Sequence, residues 1–247
     1  MRTSGNTVLI TGGATGIGFA LAEKFSKLGN KVVICGRREG KLGEAKAKLP
    51  GIEAIRCDIS NGGDRKMLYD RISSSFPETN VLVNNAGIQR RIDFTKGTED
   101  LLGNDDEIDI NLKAQVYMSA LFIPLLAKKE SAAIINVSSG LGFVPMALFP
   151  VYSATKAALH SFSLSLRHQL RSTSVKVFEV VPPTVYDTEL KGKPIEKADW
   201  AMSSNEVAEA ALKGIESDSY EIGIGASNAW ISASKGERDK IFGSINH

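Results

Sequence analysis

The stretch Thr7-Val-Leu-Ile-Thr-Gly-Gly-Ala-Thr-Gly-Ile-Gly18 places a short β-branched run directly before a cluster of glycines. Apolar residues recur at helical spacing from 19 to 28, so the segment predicts a strand, a glycine turn and a helix. The glycines permit close approach of a ligand to the backbone, and the free N–H groups of the helix start favour an anion. This pattern is typical of a dinucleotide pyrophosphate site, although a tight connection that binds nothing is the alternative.

Strand and helix patterns alternate along the rest of the chain. Further strands are predicted at 31–35, 53–56, 80–83, 131–137, 175–181 and 220–225, and further helices at 39–49, 64–75, 105–127, 151–171 and 204–217. The run 80–83 is continuously apolar, which indicates burial on both faces of a parallel sheet. The tail after 225 is ambiguous between a helix and a flexible end. We therefore predict one α/β domain, 1–247, with a Rossmann-like, doubly wound parallel sheet and helices on both faces.

Composition and charge exclude several classes of function. The chain has 247 residues, 23% of them charged, and a formal net charge of +2. Because no basic stripe is present, nucleic acid and an anionic membrane surface are not expected partners. The sequence has no apolar run of membrane-spanning length and no signal-peptide pattern, so we expect a cytoplasmic protein.

The cysteines and histidines do not form a metal-ligand pattern. Cys35 and Cys57 lie in strand-like stretches and are predicted to be reduced core residues. His160 and His168 are eight apart on one predicted helix, and His247 ends the chain. We expect the first two to be packing or surface residues, and no metal site.

The end of the second strand indicates which nucleotide would bind. A carboxylate at this position holds the ribose 2′-OH of NAD(H), whereas an arginine accommodates the 2′-phosphate of NADP(H). The chain has Gly36 there, followed by Arg37 and Arg38. NADP(H) is therefore predicted over NAD(H), unless the two arginines merely solvate the start of the next helix.

Tyr152 precedes Lys156 by one helical turn, so the two side chains share a face. A phenol has an ordinary pKa near ~10, and a neighbouring ammonium favours the phenolate, so the pair is a candidate acid/base. The alternative is a buried tyrosine and a surface lysine that happen to be four apart. Ser139 and the run Asn84-Asn85-Ala86-Gly87 follow other predicted strands, at the edge where crevice residues of such sheets gather. The side-chain amides of this run are suited at least as well to pinning neighbouring backbone as to contacting a ligand. Asn111 lies inside a predicted helix, where asparagine is ordinarily exposed.

Taken together, the glycine turn, Asn84 to Gly87, Asn111, Ser139 and the Tyr152/Lys156 pair resemble the short-chain dehydrogenase/reductase family from about residue 7 to 225. The runs 152–163 and 182–188 look like its DltE-type oxidoreductases. The resemblance implies a sheet of about seven strands in the order 3-2-1-4-5-6-7. It also implies that Tyr152 is the general acid/base, that Lys156 holds the nicotinamide ribose, that Ser139 binds the substrate oxygen and that Asn111 holds a water.

The resemblance also implies a set of residues that bind the cofactor. We assign to it Gly12, Thr15, Gly16, Ile17, Gly18, Arg37, Arg38, Asp58, Ile59, Asn85, Ala86, Gly87, Tyr152, Lys156, Pro182, Val185 and Thr188. Two departures from the family pattern stand out. Pro182-Pro183 replaces the frequent Pro-Gly, and position 15 is threonine where some NADP-dependent members carry a basic residue.

The predicted function is reversible hydride transfer between NADP(H) and a small carbonyl or alcohol substrate. The alternatives are a non-catalytic dinucleotide sensor or scaffold, and an epimerase or dehydratase. We expect a polar lid at about 184–203 and a largely apolar cleft near Leu141, Phe143, Val144, Met146, Phe149 and Tyr186. The resemblance further implies a homodimer or homotetramer formed through the helices 105–127 and 151–171.

Overall fold

The computed structural model describes residues 1–102, 106–190 and 196–246. Seven parallel strands form one sheet in the order β3-β2-β1-β4-β5-β6-β7. Their bounds are β1 Thr7–Thr11, β2 Lys31–Gly36, β3 Glu53–Arg56, β4 Thr79–Asn84, β5 Ala132–Val137, β6 Val175–Val181 and β7 Glu221–Gly223. The predicted fold class and strand order are confirmed.

Helices cover both faces of the sheet. They are α1 Gly16–Lys27, α2 Glu39–Lys48, α3 Gly62–Ser75, α4 Ala114–Leu126, α5 Pro150–Gln169, α6 Ser204–Glu216, α7 Ala226–Ser232 and α8 Lys235–Ile245. One apolar cluster joins the sheet to α1, α2 and α6, and a second joins its other face to α3, α4 and α5. β1 and β5 are buried at every residue, and the apolar runs 8–10 and 132–135 form most of their length, as expected for strands covered on both faces.

Three segments differ from their sequence patterns. The first residue of the helix predicted at 105–127 lies outside the described residues. The described part contains a π-helical turn, Asp109–Lys113, before α4. The helix predicted from 64 begins at Gly62, because the Asn61 side chain accepts hydrogen bonds from two backbone N–H groups of its first turn. The ambiguous tail folds into α7 and α8, and Ser234 caps α8 in a capping box.

The predicted lid at 184–203 includes residues 191–195, which lie outside the described residues. Backbone hydrogen bonds join the chain before these residues to the chain after them. The Met202 N–H donates to the Thr184 carbonyl, and the Met202 carbonyl accepts from the Tyr186 N–H. Cys35 and Cys57 are free and buried, as predicted. Within the described parts of the chain, none of the helices has the length and apolar character needed to cross a bilayer.

Candidate active site

A cavity of about 610 Å³ opens above the carboxyl ends of the central strands. It runs from the glycine turn to Tyr152, which is the crevice where open parallel sheets place their ligands. From the predicted set, the walls include Gly12, Thr15, Gly16, Ile17, Arg37, Arg38, Asp58, Ile59, Asn85, Ala86, Gly87, Ser139, Tyr152, Lys156, Pro182, Val185 and Thr188. We call the part around residues 12–18 and 36–38 the glycine-turn end, and the part around Ser139 and Tyr152 the tyrosine end.

The glycine turn depends on three positions that tolerate no side chain. Gly12 and Gly16 have φ values of 64° and 55°, which strain residues other than glycine. Gly18 packs against the turn, because an added Cβ would overlap the Gly12 carbonyl oxygen and lie 2.5 Å from Asn85 Nδ2. Asn85 holds the turn from the other side, donating to the carbonyls of Thr11 and Gly12 at 2.9 and 3.2 Å. Gly18 and Asn85 therefore support the turn that Gly12 and Gly16 shape.

The two arginines lie at the rim of the glycine-turn end and are largely solvent-exposed. Arg37 Nη1 is 3.8 Å from a carboxylate oxygen of Asp58. Arg38 pairs with Glu189 and donates to the Thr15 hydroxyl at 3.2 Å. The guanidinium of Arg38 beside Glu189 lowers the pKa of that carboxyl. Both cations therefore face the cavity, each with a carboxylate nearby.

At the tyrosine end the decisive groups are buried. Tyr152 is 5% exposed and Lys156 is 3% exposed, and Lys156 Nζ lies 5.6 Å from the centre of the phenol ring. Burial raises the pKa of Tyr152 to about 12 and lowers the pKa of Lys156 to about 8. The structure contradicts the expectation that the neighbouring ammonium makes the phenol acidic, because loss of hydration on burial disfavours the phenolate more strongly.

Ser139 is the nearest hydroxyl partner of the phenol. It stands at the carboxyl end of β5, where its side chain accepts from the Leu141 N–H at 3.2 Å. A hydrogen bond from Ser139 lowers the pKa of Tyr152 and partly offsets the effect of burial. The two oxygens therefore face one point in the cavity, as the strand-end position of Ser139 predicted.

Asn111 is fully buried, so the expectation of an exposed helical asparagine is wrong. Its amide donates to the Ile88 carbonyl at 2.8 Å, and its oxygen accepts from the Ile88 N–H at 2.9 Å. A Cβ on Gly87 would lie 3.2 Å from Asn111 Oδ1 and 3.7 Å from Lys156 Nζ. Gly87 therefore leaves a narrow space between the asparagine and the lysine. The π-helical turn that carries Asn111 gives no clear signal in the sequence.

The sequence and the fold of this chain are similar to those of known proteins. A family model described as short chain dehydrogenase matches residues 6–199. The chain belongs to the short-chain dehydrogenase family. It is 49% identical to the uncharacterized oxidoreductase DltE of Bacillus subtilis (strain 168), over 100% of this chain and 98% of DltE. The resemblance to DltE-type oxidoreductases is thus confirmed.

Two further relatives bear on the fold and the cofactor. The NADP-dependent 3-hydroxy acid dehydrogenase YdfG of Escherichia coli (strain K12) is 33% identical over 74% of this chain and 73% of its own. A family member from Burkholderia phymatum, solved in complex with NAD, superposes with a TM-score of 0.83 at 22% identity, covering 100% of this chain and 97% of that one. Short-chain dehydrogenases are oxidoreductases that act on small molecules with nicotinamide nucleotides, and the chain has the fold for this chemistry.

Sequence reasoning placed some of the pocket walls wrongly. Leu141, Met146 and Phe149 line the cavity as expected. Phe143 instead packs against His160, with ring centres 4.6 Å apart and ring planes tilted by 57°, and Val144 is fully buried. Neither of them, nor Tyr186, lines the cavity among the described residues. The walls missed from the sequence include Gln89, Arg90, Leu190 and Trp230.

Two buried acids also escaped the sequence analysis. Glu107 is 2% exposed, and burial raises its pKa, while one of its oxygens accepts from the Arg90 N–H. Glu179 is fully buried beneath α5, where it contacts His160. His168 is exposed on the helix surface, as expected. A glutamate inside a strand or next to a loop gives no sequence signal that it is buried. The neighbours of Glu107 and Glu179 therefore became known only from the three-dimensional structure.

Proposed function

We propose that this protein is an NADP(H)-dependent oxidoreductase that reversibly reduces a small carbonyl compound to an alcohol, with Tyr152 as the general acid/base. The observation that carries the proposal is the meeting of Ser139, Tyr152 and Lys156 in one cavity with the glycine turn. The nicotinamide would supply the hydride when bound. The residues of the chain would bind it, hold the substrate oxygen and move the proton.

Each proposed role follows from a position in the cleft. Ser139 and Tyr152 present two hydroxyl groups to the substrate oxygen, where negative charge develops during reduction. Lys156 is fixed by donating to the Val137 carbonyl at 2.8 Å, and it would use its remaining N–H groups on the nicotinamide ribose. Asn111 and Gly87 would hold a water beside the lysine.

The raised pKa of Tyr152 keeps its side chain in the protonated form that carbonyl reduction requires of a proton donor. With a pKa of about 12, the phenol is protonated at neutral pH and ready to donate its proton. Alcohol oxidation requires the phenolate, so its rate should rise with pH until the phenol titrates. We therefore expect the oxidation rate, at saturating nucleotide, to increase more steeply with pH than the reduction rate.

NADP(H) is the preferred cofactor in this proposal. Gly36 leaves the space beside the ribose open, since an added Cβ would meet only Leu42 Cδ2, at 4.0 Å, among the described atoms. Arg37 and Arg38 flank that space with cationic donors suited to a 2′-phosphate. The NADP dependence of the relative YdfG agrees with this choice.

The test is a paired titration of the protein with NADPH and NADH, followed by a spectrophotometric screen of aldehydes, ketones and 3-hydroxy acids with the preferred form. We expect NADPH to bind at least tenfold more tightly, about the effect of one charge-assisted hydrogen bond to the phosphate. Comparable affinities would refute the role of Arg37 and Arg38. Binding of both nucleotides without turnover of any compound would favour the sensor or scaffold, which the family assignment does not favour.

The substrate pocket has mostly apolar walls, formed by Leu141, Met146, Phe149, Leu190 and Trp230. Gln89 and Arg90 add polar groups at one side. We propose a small carbonyl compound with an apolar body. The lid over residues 184–203, the single-domain organisation, a homodimer or homotetramer and a cytoplasmic location stay predictions.

A further inference from the structure

A row of polar side chains lies under α5, on the face that packs against β5 and β6. Residues three and four apart on a helix share a face, and this row has that spacing. Its members are Lys156, His160, Ser163 and Arg167. Lys156 and Arg167 donate to strand carbonyls, and Ser163 accepts from the Asn136 side chain. His160 alone among these four contacts an acid inside the sheet.

That acid is Glu179, which pairs in register with Asn136 across β5 and β6. It is 0% exposed, and its Oε2 lies 2.8 Å from His160 Nδ1. Its Oε1 has no hydrogen-bond partner within the described chain. A carboxylate in such a place is costly unless positive charge lies nearby. The role of Glu179 therefore depends on which positively charged side chains lie near its carboxylate.

Basic side chains of α5 lie near Glu179 on two sides. On the solvent side are His160 and Arg167, and the half-buried Glu221 lies 3.7 Å from the same His160 nitrogen. Lys156, which precedes His160 by one helical turn on the same face of α5, donates from Nζ to the carbonyl of Val137, the residue that follows the strand partner of Glu179. Glu179 raises the pKa of Lys156 against the downward effect of burial. Glu221 has no such effect among the causes that act on Lys156.

We propose that Glu179 is a positioning residue for Lys156, keeping the lysine in its ammonium form beside the nicotinamide ribose, while His160 holds the carboxylate in place from the solvent side. The role depends on the function proposed above for Lys156. His160 performs its part in either protonation state, because Nδ1–H donates to Glu179 in both the neutral tautomer and the imidazolium. Glu221, Arg167 and the Phe143 ring are the other groups that face His160.

The direct test is an NMR titration of the nucleotide-free protein with ¹³C-labelled lysine, in which Lys156→Arg identifies the Lys156 signal. In the wild-type protein the signal should titrate near the value of about 8. In Glu179→Gln, which keeps the shape and the acceptor for His160, the midpoint should fall by about one unit or more. Glu221→Gln removes an equal charge near His160 and should leave the midpoint unchanged.

Two further measurements separate positioning from simple structural support. Glu179→Asp keeps the charge but holds it one methylene farther away, so it should lower the Lys156 midpoint by less than Glu179→Gln does. It also serves as the test variant if Glu179→Gln does not fold. The alkaline limb of kcat/KM should move down by the same amount as the NMR midpoint in each Glu179 variant, and not in Glu221→Gln.

Unchanged Lys156 midpoints in both Glu179 variants would overturn the proposal, whatever happens to activity. So would equal shifts in Glu179→Gln and Glu221→Gln, since these would indicate a general effect of charge. Because the titration needs neither nucleotide nor substrate, it can succeed where the proposed function fails. Conversely, normal NADPH-dependent turnover with unshifted midpoints would remove only the role of Glu179.

Discussion

At the glycine-turn end, the cleft is built from backbone: Gly12 and Gly16 adopt positive φ, and the charges of Arg37 and Arg38 stay at the solvent-exposed rim. At the tyrosine end it is built from buried side chains, and burial moves the pKa values of Tyr152 and Lys156. The first end can bind a ligand through shape and N–H groups that cost little to maintain. The second end holds ionisable groups away from water, which costs stability and makes them responsive to a ligand.

This difference means that substitutions at the two ends should affect separate quantities. The glycine-turn end should control nucleotide affinity, and the tyrosine end should control turnover and its pH dependence. Four experiments test that separation, and the largest effect is expected at the tyrosine end.

Replacing Tyr152 with Phe removes the proposed proton donor and leaves the shape of the wall. We expect kcat to fall by at least ~10²-fold, the usual contribution of one general acid, while NADPH affinity stays within about twofold. Steady-state kinetics and fluorescence titration measure the two quantities. Retained turnover would reject Tyr152 as the acid, and a parallel loss of NADPH binding would show that the two ends are not separate.

Lys156→Met should change how stability depends on pH. Burial lowers the pKa of Lys156 to about 8, so the folded protein carries a penalty for the ammonium below that pH. The penalty is relieved as the pH rises through about 8 toward the unfolded value of ~10.4, and stability gains about 1.4 kcal/mol per pH unit in that window. Between pH ~7 and ~9.5 the wild-type protein should gain about 2 kcal/mol relative to Lys156→Met.

Urea unfolding at the two pH values measures this gain, since groups common to both proteins cancel in the difference. Lys213→Met, on the exposed face of α6, is the matched control and should give a difference near zero. A constant difference between wild type and Lys156→Met at both pH values would contradict the burial of an ammonium at this site.

Gly18→Ala should distort the glycine turn. Its Cβ would overlap the Gly12 carbonyl oxygen, so the turn must shift, and we expect NADPH binding to weaken about tenfold, at the low end of overpacking costs. The kcat at saturating NADPH should change less than the affinity. Gly43→Ala, in α2, is the control: its Cβ meets nothing within 4 Å, and it should stabilise the protein by roughly 0.5–1 kcal/mol. Unchanged affinity in Gly18→Ala would mean that the turn does not bind the nucleotide.

Glu189→Gln gives the smallest expected effect. Glu189 pairs with Arg38 and Lys41 at the rim, where its charge would oppose that of the 2′-phosphate in the proposed NADP(H) complex. Its neutralisation should tighten NADPH binding by a few-fold, the scale of an exposed charge interaction, without changing NADH binding. Isothermal titration at low and high salt measures both affinities. Tighter binding of NADH to the same degree would place the effect outside the 2′-phosphate.

Local patterns were sufficient for the glycine turn and for the positions of the strands along the chain. Residues 7–18 specify their own strand, turn and helix, because glycine conformations and hydrophobic periodicity act over a few residues. The strand order came from resemblance and was confirmed. The tyrosine end was only half predictable, since Ser139 and Tyr152 have strand-end and helical signals, whereas the buried state of Asn111 and Glu179 has none.

The sequence by itself determined the alternation of strands and helices, the glycine turn, the one-turn spacing of Tyr152 and Lys156, and thereby the family. Tertiary structure decided which of those groups lose water. Burial is set by side chains far apart in the chain, such as Lys156 on α5 and Glu179 on β6, so no local pattern can report it. For that reason the sequence indicated the Tyr152/Lys156 pair, and only the packed structure showed that burial raises the pKa of its phenol.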